Sequence, residues 1–215
     1  MILEDIMKKS VIAVSPLEPI KSALSLMNQH HIRHIPIIDS NQKIVGIISD
    51  RDIRDVSPSI FHQDEHLEDL EKPVQTIMTK DVITGHPMDF VEEAAVIFFD
   101  HKIGCLPIEK DNKLVGIVTE TDILYTLVQL TGAHQPSSHL EIRVANQTGV
   151  LADVAVILKK FNINIASVLI YPEQDVRYKI LVFRVQTMDT TRIVSELKKN
   201  GYTVLWPSDQ EFLHE

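Results

Sequence analysis

The sequence predicts a mixed α/β and α+β protein: two copies of a β-α-β-β-α unit, followed by one βαββαβ module. Three observations predict it: an internal repeat over the first 130 residues, a Gly/Pro/Ser break after it, and a change of hydrophobic pattern beyond the break.

The repeat is read by sliding the chain 71 residues along itself. Ile6-Met7 then falls on Ile77-Met78, Val11-Ile12 on Val82-Ile83, His30 on His101 and Pro36-Ile37 on Pro107-Ile108. Between Ile6 and Asn41 there are 12 identities in 36 positions, where unrelated sequence would give about two. One residue is then lost in a polar turn, where an indel is cheap. The match continues from Lys43, Val45-Gly46-Ile47 and Asp52-Ile53 onto Lys113, Val115-Gly116-Ile117 and Asp122-Ile123.

Each copy opens with a short apolar strand, Val11–Val14 in the first. A helix follows, with Ile20, Ala23, Leu24 and Met27 at helical spacing, and Val91, Ala94, Ala95 and Phe98 in the second copy. Pro19 suits a first helical turn, and Asp89 with Glu92 reads as a capping box. Two strands come next, His34–Ile38 with Ile44–Ile48 and Cys105–Ile108 with Leu114–Val118, and a helix closes each copy, from about Asp50 and from about Glu120 to Leu130. The stretch 55–73 between the copies is acidic and reads as a solvated linker.

Residues 131–138 mark a domain boundary. Beyond them Leu140, Ile142 and Val144 alternate as a half-buried strand does, and Gly149 precedes a helix with Leu151, Val154, Ala155 and Leu158. Strands Ile163–Tyr171 and Tyr178–Val185, a helix capped by Asp189 and ended by Gly201, and a strand Tyr202–Trp206 complete a ferredoxin-like order. The expected domain limits are 1–58, an acidic linker 59–72, 73–131, and 138–215.

Composition bounds the function. A net charge of −9 with no basic stripe argues against nucleic acid. The single cysteine, Cys105, excludes an internal disulfide and fits a reducing compartment. With neither a signal peptide nor a membrane span, a cytoplasmic protein is expected.

The chemistry is concentrated in two runs, Gly46-Ile47-Ile48-Ser49-Asp50-Arg51-Asp52 and Gly116-Ile117-Val118-Thr119-Glu120-Thr121-Asp122. Each crosses from a strand end to a helix start, where free N–H groups and the helix dipole favour phosphate. Each run presents a hydroxyl there, Ser49 or Thr119, and a carboxylate three residues on, Asp52 or Asp122. The same Ser/Thr-x-x-Asp pattern also serves as a plain capping box. The first copy carries Arg33, His34, Arg51 and Arg54 where the second has Gly104, Cys105, Thr121 and Leu124, so the first motif is expected to hold more positive charge.

On these two runs, residues 1–130 resemble a tandem pair of CBS domains. The resemblance implies adenine-nucleotide binding (AMP, ADP or ATP as a regulatory ligand) at Ser49, Arg51, Asp52, Thr119 and Asp122, the Ser49 or Thr119 hydroxyl donating to a phosphate and Asp52 or Asp122 accepting from both ribose hydroxyls, with Ile35-Pro36 and Leu106-Pro107 flanking the base. Residues 139–215 resemble an ACT domain through Asn146-Gln147-Thr148-Gly149-Val150-Leu151, which keeps Gly-Val-Leu but replaces the usual Asp and Pro. That resemblance implies an amino-acid or related ligand at the loop residues Asn146, Thr148, Gly149, Val150 and Leu151, or a purely dimerising module. The whole arrangement resembles the acetoin-utilisation CBS–ACT family of spore-forming bacteria, which implies a link to acetoin or butanediol catabolism and to sporulation.

Other candidates carry less. His30, His31 and His34 straddle a helix and a strand that aim them apart, and His62 and His66 in the acidic linker form a weak metal pair. Cys105 reads as a small core residue with no positioned base. No nucleophile elbow, Walker loop or catalytic carboxylate pair appears. The expectation is a regulatory protein without catalytic residues, cofactor or metal, homodimeric through apolar ACT strand residues including Val168, Ile170, Ile180 and Val182, and acting on a partner enzyme. The alternative is a ligand-free oligomerisation scaffold.

Overall fold

The computed structural model describes residues 1–56 and 67–208; the His62/His66 pair lies outside the described residues. Two compact units divide the chain, Met1–Leu124 and Tyr125–Glu215.

In the first unit each repeat contributes one antiparallel strand pair, β1 (His34–Ile38) with β2 (Ile44–Ser49), and β3 (Cys105–Lys110) with β4 (Lys113–Thr119). β2 alternates buried and half-buried residues, whereas β1 and β3 are buried over three and four consecutive positions, as strands covered on both faces are. The expected opening strands shrink to single parallel bridges, Val14 to Ile37 and Gly85 to Ile108. Pro16 and Pro87 follow two residues later and end each run, since proline lacks the N–H a ladder needs.

A short turn of helix, α1 (Leu3–Ile6), precedes the first copy. Helices α2 (Ile20–His30) and α3 (Asp50–Val56) pack on the first strand pair, α4 (Val91–His101) on the second, and α5 (Glu120–Thr131) begins where β4 ends. Pro19 is the N-cap of α2 rather than its first turn. The expected Asp89–Glu92 box is not made. Glu93 accepts the Phe90 N–H at 3.2 Å, while Asp89 accepts from His86, because α4 starts one residue later than the pattern suggested.

The repeats exchange their leading segments, which the sequence did not reveal. Lys8 pairs with Ile117 of the second copy, and Thr79 with Ile47 of the first. Leu3 lies in the core built by Val91, Phe98 and Leu106, and Val74 in the core built by Ile20, Met27 and Ile53. The backbone bonds repeat at the same offset: Leu3 N to Asp89 O (2.9 Å) and Val74 N to Glu18 O (2.8 Å). The motif glycines make this crossing possible. A Cβ on Gly116 would meet Met7 Sδ at 2.5 Å, and one on Gly46 would collide with Met78 Sδ.

The second unit holds a four-stranded antiparallel sheet in the order β6-β7-β5-β8, with β5 Ser138–Ala145, β6 Ile165–Pro172, β7 Tyr178–Val185 and β8 Thr203–Trp206. Helices α6 (Val150–Lys160) and α7 (Thr191–Lys199) seal one face through Val154, Leu158, Ile193 and Leu197 against Leu140, Ile142, Leu181 and Phe183. Thr190, not Asp189, is the N-cap of α7, and Asp189 instead accepts the Thr191 N–H at 2.9 Å. Gly201, at φ 84°, follows the helix end as expected. Of the apolar residues expected to remain uncovered, Val168 and Ile170 on edge strand β6 are exposed, whereas Ile180 and Val182 are buried.

Candidate functional site

Both motifs fold into the same local device. β2 ends at Ser49 and α3 starts at Asp50, so Ser49 takes the N-cap position and Asp52 the third helical residue. Asp52 Oδ2 accepts from the Ser49 N–H and from its hydroxyl, each at 2.7 Å, and the Asp52 N–H reaches Ser49 Oγ at 3.3 Å. The second motif matches: Asp122 Oδ2 accepts from Thr119 N (2.8 Å) and Oγ1 (2.6 Å). These are capping boxes that satisfy helix-end donors; Ser49 and Asp52 both line a cleft, whereas at the second motif Thr119 lines one and Asp122 does not.

The exchange of leading segments makes each cleft a product of both repeats. The larger, about 460 Å³, is lined by Ser49, Asp50, Arg51 and Asp52 of the first motif, by Thr79, Asp81, Val82 and Ile83 from the second copy's leader, and by the turn 102–105. The smaller, about 280 Å³, mirrors it with Thr119 and Thr121 of the second motif, Ser10, Val11 and Ile12 from the first leader, and the turn 31–34. Those turns are shaped alike, because α2 and α4 both end on a left-handed residue, His31 and Lys102, each at φ 53°.

This composition corrects the expected charge difference. The first cleft sets Arg33, Arg51, Arg54 and Lys102 against Asp50, Asp52, Asp81 and Glu120 in its lining. Arg54 is already paired with Asp50 at 3.0 Å. The second cleft is lined by Lys8 and Arg33 with no carboxylate among its lining residues, although Lys8 Nζ lies 3.5 Å from Asp122 Oδ1. The second cleft is therefore no less positive than the first, since residues of one copy serve the motif of the other.

All four of the residues expected to flank the base lie outside the clefts. Ile35, Pro36, Leu106 and Pro107 are buried and line neither cleft. Ile35 and Leu106 are wholly enclosed in the two cores. The Pro36 carbonyl accepts from Val14 N and that of Pro107 from Gly85 N, so the sheet uses them. The apolar walls come instead from Val11-Ile12 and Val82-Ile83, residues whose repetition was visible but whose role was not.

Arg33, His34 and Gly104 line both clefts. A Cβ added at Gly104 would lie 3.1 Å from His34 Cε1, a tight contact that the imidazole would have to yield to. Burial first, and Arg33 second, hold the His34 pKa below its ordinary value, against the opposite pull of Asp50, Asp52 and Glu120. Burial pushes the Cys105 thiol up to about 12, helped by Asp122, which suits a core residue and not a nucleophile.

In the second unit Asn146 is tied to the β6–β7 turn, its N–H donating to Arg177 O (2.7 Å) and its side-chain amide to Val176 O (3.1 Å). Gly149 caps α6 at φ 90°, a conformation that favours glycine. Thr148, Gly149 and Leu151 are exposed, and Val150 belongs to the core. A hollow of about 490 Å³ in this unit lies away from that loop, against Lys159, Asn162 and Asn164.

A CBS-domain model matches residues 3–59 and 74–129, over half of the chain, and an ACT-domain model matches 138–201. The chain is similar to the crystal structure of an acetoin utilization protein from Vibrio cholerae (31% identity, TM-score 0.55, 64% of this chain and 98% of that one). It is also similar to the CBS domain pair of protein MJ0100 in complex with 5′-methylthioadenosine and S-adenosyl-L-methionine (30% identity, TM-score 0.52, 63% and 98% covered). A third likeness is to CBSX2 in complex with AMP (26% identity, TM-score 0.51, 60% and 96% covered). The chain spans only 22 to 25% of the length of the first three curated relatives it matches. No described helix is long and apolar enough to cross a membrane.

Proposed function

The chain belongs to the CBS-domain family, with an ACT domain behind the pair, and from that premise we propose that it is a non-catalytic sensor of adenine nucleotides. The observation that carries the reading is the pair of repeat-related clefts, each built from both copies, the first lined by the Ser49–Asp52 pair and the second by Thr119, which is bonded to Asp122 behind it. Asp52 and Asp122 take the ribose hydroxyls, Ser49 and Thr119 the first phosphate, and Arg51 adds a cation to the first cleft. The paired apolar residues Val82-Ile83 and Val11-Ile12 give the base a wall in each cleft. Adenosine-type ligands on similar CBS pairs support the same chemistry.

The sensor is proposed to be a cytoplasmic homodimer acting on a partner enzyme, with domain limits at 1–58, 73–131 and 138–215. The likeness to an acetoin utilization protein supports a place in acetoin or butanediol catabolism; the tie to sporulation rests on the family resemblance alone. An amino acid or related metabolite at the Asn146–Leu151 loop is the proposed second signal.

One observation favours the competing reading of a ligand-free scaffold. The motif hydroxyls and carboxylates already satisfy one another as capping boxes. Calorimetry on the full chain with AMP, ADP, ATP and S-adenosylmethionine separates the two. Saturable binding of at least one adenine nucleotide is expected, and absence of heat with all four leaves the scaffold.

A further inference from the structure

We infer that Arg33 couples the two clefts, so that a phosphorylated ligand in one weakens phosphate binding in the other. The inference rests on the reading of both clefts as nucleotide sites. Three residues line both clefts, and only one of them brings a permanent charge. Gly104 has no side chain, and His34 is kept toward its neutral form by burial and by Arg33 itself. The repeat equivalent of Arg33 is Gly104, so duplication left a single guanidinium on a wall that serves two sites. The other cations belong to one cleft each: Arg51, Arg54 and Lys102 to the first, and Lys8 to the second.

Arg33 is exposed, and among the described residues no salt bridge holds its side chain. Its backbone is anchored, because its carbonyl accepts from Asp50 N at 2.9 Å. The guanidinium can therefore turn to either cleft from a fixed base, but it serves one phosphate chain at a time. A ligand that takes it first gains a charge-assisted contact, and the second ligand binds without it. Adenosine carries no phosphate and is indifferent to where Arg33 points.

The test is a thermodynamic cycle by calorimetry on the full chain. Asp52→Asn and Asp122→Asn each leave one cleft, giving the two single-site constants. The product of the two stepwise association constants of the unaltered chain, divided by the product of the single-site constants, is the coupling factor. With ATP a factor roughly tenfold below unity is expected; with adenosine, unity; and with ATP in the Arg33→Gln chain and its derivatives, unity again. A factor of unity with ATP in the unaltered chain overturns the inference. So does a factor that survives Arg33→Gln, one as large with adenosine, or binding confined to one cleft. Should Arg33→Gln fail to fold, the comparison of ATP with adenosine on the unaltered chain still decides. Failure of the nucleotide reading looks different, since ATP, AMP and adenosine would then all fail to bind the unaltered chain.

Discussion

Replacing Asp52 and Asp122 by asparagine separates the two jobs that each carboxylate holds. In the structure both bonds from the motif hydroxyl and N–H fall on a single oxygen, Oδ2. An asparagine carbonyl can accept the same two bonds, so the capping box survives. Alanine removes it, at a cost of about 0.5–2 kcal/mol per helix start, which would confuse a binding defect with a folding one. A ribose diol asks more of the side chain: two acceptors carrying a full charge. Asparagine offers one acceptor and a donor in place of the other. Hydrogen bonds to charged groups are worth about 1.5–3 kcal/mol, so AMP affinity should fall roughly 10- to 100-fold per site. The assay pairs calorimetry with AMP and a thermal melt of the double variant. Melting within a few degrees of the parent, with AMP binding lost, is the expected outcome. A folded double variant that binds AMP as tightly as the parent refutes the assignment of both carboxylates to the ribose.

Other consequences are simpler to read. Gly116→Val drives a branched side chain into Met7, whose Sδ and Cβ lie 2.5 and 3.3 Å from the first added carbon; a loss of about 1–3 kcal/mol is expected, and an unchanged urea midpoint would show that the leader packs elsewhere. His34 has a folded pKa below its unfolded value. The unfolded chain therefore takes up its proton first as pH falls below about 6.5, so the His34 contribution is complete above that pH and shrinks below it. A His34→Gln chain should lose less stability than the parent between pH 7.5 and 5.5. Cys105, with its thiol near 12, should resist alkylation at pH 8 in the native protein and react once urea exposes it. The proposed homodimer would cover the exposed apolar residues of β6, so light scattering at micromolar concentration should report a dimer; a monomer with and without ATP contradicts this.

The folding elements were legible because local physics writes them. Helical spacing in Ile20–Met27 and Val91–Phe98, and alternation in Leu140–Val144, each reflect one buried face that the residues themselves must supply. The duplication was legible because identities recur at one offset. Errors came at helix starts, where neighbouring polar residues compete: Glu93 displaced Glu92, and Thr190 displaced Asp189, by a single residue. Ile35 and Leu106 were misplaced because a strand residue beside a site and one beneath it have the same hydrophobic pattern.

By itself, then, the sequence determined two repeated units, a following βαββαβ module and the Ser/Thr–Asp pairs, since each depends on residues close along the chain. Tertiary structure alone decided which copy serves which cleft. Met7 settles on Gly116 and Met78 on Gly46 because cores are filled by shape and volume across the chain, without regard to which repeat supplies the side chain. That crossing hands Lys8 to the second motif, Lys102 to the first, and Arg33 to both. No spacing in the sequence encodes it, because the contacts join residues that are neighbours only once the two repeats have packed together.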